Sequence, residues 1–195
     1  LPPMTSSDEI GLVWFRRDLR MDDNPAWAAA TSERRYVVPL YVIDRRIIES
    51  VGPYRRRQLI ANLQALDYEL AERVGGRLLV RFGDPVDLVP EAARVFGVGG
   101  AYWNADVSPF AVARDRKVTE ALEVPVSTWY GSLVLPPGAV TTKKGAVSRV
   151  FTPFYKAWKD TDWDPWPEAG DAVVLQVAAS LSDPNKPVSV TMAAL

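Results

Sequence analysis

Five short apolar runs, the first four each followed by a helical pattern, constrain this chain more than anything else in it. Ile10 to Phe15 is apolar throughout, as a strand covered on both faces must be. Tyr36 to Ile43 is the second run, and Pro39 within it requires a position where no ladder donor is needed. Leu78 to Phe82, Ala101 to Trp103 and Val126 to Tyr130 complete the set. Between them, Asn24-Pro25 supplies an N-cap and a proline at the first helical position, opening a short Ala-rich helix with Trp27. From Pro53, leucines 59, 63, 66 and 70 recur at steps of three and four as far as Gly75-Gly76, the pattern of a long amphipathic helix with a glycine stop. Asp84-Pro85 repeats the cap chemistry for a helix ending at Phe96-Gly97, and a further helix covers Pro109 to Glu123 with Arg114 to Lys117 on its outer side. The alternation predicts an α/β fold, a Rossmann-like open parallel sheet of five strands with right-handed crossovers and helices on both faces, and the order adopted for it is 3-2-1-4-5.

After Gly131 the regularity fades. Pro136-Pro137-Gly138, the Thr141 to Gly145 turn, the aromatic group Phe151, Phe154, Tyr155 and Trp158, and Asp164-Pro165-Trp166-Pro167 read as a wrapping segment with one short helix. Trp158, Trp163 and Trp166 in it cover either the sheet or a partner domain. The expected division is an N-terminal tail over 1–9, in which Leu1-Pro2-Pro3 before Met4 has the look of an expression scar, a domain over 10–168, and a linker or tail over 169–195.

Composition removes most catalytic options. The 195 residues include neither Cys nor His, which excludes thiol or imidazole nucleophile-base chemistry and the usual zinc sites. A net charge of -1 argues against a surface built to grip polyanions. With no disulfides, no signal peptide and no apolar run of roughly 18 residues, the expected setting is cytoplasmic, with no membrane partner. No GxGxxG follows the first strand and no GxxxxGK[ST] occurs, so a nucleotide-binding hydrolase or ligase has no motif to stand on. No catalytic residue and no metal site is expected.

Topology must therefore locate the site. Open parallel sheets bind ligands beyond the carboxyl ends of their strands, where the strand order reverses. That brings together the loop Arg16-Arg17-Asp18-Leu19-Arg20, the strand end Tyr41 to Asp44, and Asn104 with Asp106. The charged loop is either a self-neutralising knot of ion pairs or a direct ligand contact. Asp106 either accepts a hydrogen bond from a polar heterocycle or caps the helix near Pro109. Arg55-Arg56-Arg57 read as a solvated helix start, yet cations there oppose the helix dipole, so a ligand or a carboxylate such as Asp44 holds at least one. Tyr41 and Trp103 are core residues or a platform for a flat ligand.

Trp14-Phe15-Arg16-Arg17-Asp18-Leu19-Arg20, followed by Asp23-Asn24-Pro25, resembles the opening signature of the DNA photolyase and cryptochrome family. Tyr41-Val42-Ile43-Asp44, Arg55 with Leu59 and Leu63, Gly83-Asp84-Pro85, Trp103-Asn104-Ala105-Asp106, Arg114-Asp115 and Val150 to Phe154 follow in the family's order, so the resemblance runs from about Ile10 to Trp166. It implies the N-terminal α/β domain, which holds a light-harvesting antenna chromophore. The FAD-binding helical domain, which also binds damaged DNA, lies outside this sequence. Transferred position by position, the resemblance implies chromophore contacts at Tyr41, Val42, Ile43, Asp44, Arg55, Leu59, Asn104 and Asp106. It implies a structural or interdomain role for Arg16, Arg17, Asp18, Arg20, Asp23 and Asn24.

Folate-type antennae use a carboxylate two residues after the position of Asp106. Here that residue is Ser108, which favours an 8-hydroxy-deazaflavin or FMN type. The parent enzyme implied would split ultraviolet-induced pyrimidine dimers by light-driven electron donation from reduced FAD, with this chain alone inactive. A cryptochrome-like photoreceptor, or a stand-alone module that docks a partner, is the alternative.

Overall fold

The computed structural model describes residues 7–142, 145–165 and 167–175, and within them every expected strand is present. The strands are β1 (Ile10–Phe15), β2 (Tyr36–Asp44), β3 (Leu79–Gly83), β4 (Gly100–Asn104) and β5 (Val126–Trp129). They pair in parallel in the order β3-β2-β1-β4-β5. The helices are α1 (Pro25–Glu33), the short α2 (Arg45–Ile48), α3 (Pro53–Val74), α4 (Pro85–Phe96), α5 (Pro109–Ala121) and α6 (Phe151–Lys159).

The helix starts follow from local chemistry. Asn24 accepts from the backbone N–H of Trp27, Asp84 from that of Val86, and Ser108 from that of Ala111; proline occupies the next position each time. α3 ends at Gly75 with φ at 69°, the left-handed cap its glycine pair predicts. α5 stops at Ala121 rather than Glu123, because Leu122 is already extended.

The pleat sorts the core into two layers. Val13 and Phe15 of β1 pack with Trp27 of α1 and with Leu63, Leu66 and Leu70 of α3. Leu12 and Trp14 pack with Val89, Ala92 and Ala93 of α4 and with Val118 of α5. Burial of each large side chain stabilises the fold by roughly 1.5–3 kcal/mol, so the three leucines hold α3 although its outer side is polar.

Part of the stretch expected as linker or tail, 169–195, is built into the sheet. Val173–Val174 form a sixth strand, β6, parallel to β2 in register with Tyr36 and Val37, and Ala172 and Val174 are buried. Two residues are too few to carry a readable period. Space for them comes from Gly76, where a Cβ would lie 2.1 Å from Val174 Cβ. Pro39 falls between the stretch of β2 that pairs β6 and the stretch from Leu40 that pairs β3, so its missing N–H costs no ladder bond on that edge. The expected scar Leu1-Pro2-Pro3, Lys143 and Lys144 of the expected turn, Trp166, and 176–195 of the expected tail lie outside the described residues.

Candidate functional site

Where β1 ends, the chain turns through Arg16 to Arg20 and is held by amides. Asp18 is buried, and its carboxylate accepts from the backbone N–H of Arg16 (2.9 Å) and from Asn104 Nδ2 (2.5 Å). Asn104 Nδ2 also donates to Asn24 Oδ1 (2.7 Å), and Asn104 Oδ1 accepts from the N–H of Ala26. One asparagine at the end of β4 thus locks the β1 loop and the start of α1 together. Gly131 closes over it, since a Cβ there would meet the Asn104 side chain at 2.4 Å.

The arginines do not form the self-neutralising knot that their spacing suggests. Arg16 reaches across to Asp115 of α5 (2.5 Å) and Arg17 to Asp106 (3.3 Å), while Arg20 donates to the carbonyls of Asp23 and Gly131 as well as pairing with Asp23. Asp115 also accepts from Nε and Nη2 of Arg114. Both guanidiniums stand over the indole of Trp14, at 4.8 and 4.9 Å from its centroid, and Trp103 meets that indole edge-on. Nη2 of Arg16 is buried without a hydrogen-bond partner.

Above these groups lies a cleft of about 200 Å³, lined by Trp14, Arg16, Tyr41, Asp44, Leu59 and Phe110 among others. Val42, Ile43, Arg17, Asp106 and Arg114 line it too. Burial pushes the Tyr41 phenol up to about 12, so it stays neutral and can donate or accept. Burial alone would raise the Asp106 carboxyl, but the backbone N–H of Ser108 and the charge of Arg17 outweigh it and hold the group below its ordinary value. Asp44 caps α2 and is chelated by Arg46, which leans on to Asp84 and over Phe110.

Of the residues expected to meet a ligand, Tyr41, Val42, Ile43, Asp44, Leu59 and Asp106 converge on this cleft. Arg55 is exposed on the first turn of α3 and does not line it; Asn104 is spent on the buried lock. Asp44 pairs with Arg46 rather than with an arginine of α3, and Arg56 donates to the carbonyl of Val51. Helix α5 is capped by Ser108, not Asp106. Phe110, Ala111 and Arg114 were missed as lining residues; their i, i+1, i+4 spacing on the first turns of α5, just after Asp106, is the signal that would have found them. Arg17, Asp18 and Asn104 also border a neighbouring cavity of about 140 Å³.

A larger cavity of about 920 Å³ lies between α1, the end of β5 and residues 163–165, 167 and 168. It is away from the strand-order reversal, and the arginine lining it, Arg20, is already committed to Asp23 and Gly131. It reads as space under the wrapping segment. Among the described residues no cluster of acidic side chains could hold a metal ion, and no helix is long and apolar enough to cross a membrane.

Residues 11–171 match the family model for DNA photolyase. The deoxyribodipyrimidine photo-lyase of a Synechococcus species is 34% identical over 155 residues, which cover 76% of this chain and 31% of that protein. The fold superposes on the archaeal photolyase of Sulfolobus tokodaii, a structure with two FAD molecules, with a TM-score of 0.76 and 28% identity, covering 89% of this chain and 40% of that one. A class III photolyase of Agrobacterium tumefaciens gives a TM-score of 0.69 at 30% identity, covering 88% and 36%. The chain spans about a third to a half of the length of the curated relatives it matches. A family match over most of the chain, joined to this sheet order and cleft, means that the chain belongs to the DNA photolyase family.

Proposed function

We propose that this chain is the light-harvesting domain of a DNA photolyase and that the cleft beyond β1, β2 and β4 holds an antenna chromophore of the 8-hydroxy-deazaflavin or FMN type. The observation that carries the reading is a half-open cleft at the strand-order reversal, with apolar side chains and an aromatic wall beside a buried guanidinium N–H that lacks an acceptor. A flat heterocycle with ring oxygens fits that combination. Leu59, Ile47, Ile48 and Phe110 would cover its faces, while Tyr41 and Asp106 offer polar atoms at its edge. Arg17 holds Asp106 ionised and oriented; Asn104 and Asp18 keep the β1 loop from drifting out of the cleft. Ser108, where a folate-type site would need a carboxylate, spends its hydroxyl on capping α5.

When bound, the chromophore supplies light absorption and passes its excitation on. Rigid placement is what such a site must provide, and the side chains above do so without any acid-base group. The parent enzyme we infer carries a helical FAD domain, acts on ultraviolet-damaged DNA and works in the cytoplasm. Repair is not expected from this chain by itself.

Titration of the chain with 8-hydroxy-5-deazariboflavin, FMN and methenyltetrahydrofolate, followed by ligand fluorescence, tests the reading. Saturable binding of either flavin-like probe, with the folate weaker, is expected. Binding of the folate alone, or of nothing, would sink it.

A further inference from the structure

A buried donor with no acceptor is uncommon in folded proteins. Arg16 Nη2 is such a donor, on a side chain that keeps 9% of its exposure and lines both the cleft and the cavity next to it. Its surroundings cannot satisfy it. Asp115 Oδ2 accepts Arg16 Nη1, and Asp115 Oδ1 accepts two donors from Arg114. In the same loop, Asp18 is occupied by the Arg16 backbone N–H and by Asn104.

The ion pairs around the cleft are unevenly shared. Arg17 is paired with Asp106, and Arg46 with Asp44 and Asp84, whereas Arg16 and Arg114 share the single carboxylate of Asp115. Their stacking on Trp14 fixes both guanidiniums, so neither can swing outward without losing that contact. With Asp18 counted beside Arg16 the charges balance, so what the inner end of the cleft lacks is an acceptor for one buried guanidinium N–H.

Resting on the antenna reading above, we propose that Arg16, positioned by Asp115 and backed by Arg114, donates to a negatively charged oxygen of the chromophore and so selects ligands that carry one. Two sources offer that chemistry: an ionised ring hydroxyl or a phosphate on the side chain. A charge-assisted hydrogen bond is roughly twice as strong as a neutral one, so Arg16 Nη2 favours an anionic oxygen over a neutral acceptor.

The test compares the unaltered chain with Arg16→Met and Arg16→Lys, using three probes: 8-hydroxy-5-deazariboflavin, with an ionisable ring hydroxyl and no phosphate; FMN, with a phosphate; and riboflavin, with neither. Riboflavin should bind weakest to the unaltered chain. Arg16→Met should weaken the anionic probe by about tenfold or more and riboflavin by less than about twofold. Arg16→Lys keeps a cation beside Asp115 but loses the forked Nη2; it should weaken the same probe and stands in if the methionine variant melts early. Loss confined to the deazaflavin identifies the ring oxygen, and the absorbance of the bound probe should then show its hydroxyl ionising at lower pH than in free solution, an offset that Arg16→Met shrinks. Loss confined to FMN identifies the phosphate. Equal binding of all three probes, or affinities and spectra indifferent to Arg16, overturns this inference while leaving the antenna reading in place. No binding of any probe to the unaltered chain overturns both.

Discussion

At the scale of single residues, the site depends on one asparagine more than on any arginine. Asn104 satisfies Asp18, Asn24 and the N–H of Ala26 at once, all of them inside the protein. Asn104→Ala leaves each a partner short, and an unsatisfied buried polar group costs roughly 1–3 kcal/mol. The expected loss in urea unfolding is about 3 kcal/mol; a loss below about 1 kcal/mol would show that water replaces the amide. From the sequence, Asn104 looked like a ligand contact because it stands with Asp106 at a strand end beside the order reversal and the family resemblance implies a contact there. Spacing along the chain says that both sit at a strand end. It does not say which side chain turns inward and which turns to the cleft.

Among the elements, α1, α3, α4 and α5 and the five long strands were legible because caps, glycine stops and apolar periods act over a few residues. β6 was not, and its placement depends on close approach. Gly170 donates its N–H to Thr31 Oγ1 (2.8 Å), and a Cβ on it would lie 2.4 Å from the backbone oxygen of Thr31. Backbone inside a helix cannot yield that distance, so Gly170→Ala should lift the segment away. The N–H groups of Val173 and Leu175, bonded to the carbonyls of Arg35 and Val37, should then exchange at least about tenfold faster, while those of β1 keep their protection. Hydrogen exchange read by mass spectrometry decides it; unchanged exchange at residues 173–175 would mean that the glycine is dispensable.

For the whole molecule, the telling feature is the stripe of stacked aromatics on α6. Phe151 stacks on Tyr155 and Tyr155 on Trp158, yet Phe151 is 76% and Tyr155 47% exposed, and α6 buries no residue. Side chains that cover nothing should cost little to remove. The double substitution Phe151→Ser with Tyr155→Ser is expected to leave the stability of this chain within about 0.5 kcal/mol in urea unfolding; a loss above about 2 kcal/mol would show that the stripe packs against the domain after all. The sequence by itself determined the layers: which runs are strands, which faces are apolar and where helices start, all from patterns repeated within a few residues. Only the tertiary structure decided the partners. Arg16 meets Asp115 across 99 residues and Asn104 meets Asp18 across 86, and no local rule ranks those pairings above the aspartates next door. The reason is geometric: strand order brings loops distant in sequence to one end of the sheet, and the buried lock at Asn104 then commits Asp18 to amides, leaving Arg16 to look across the cleft.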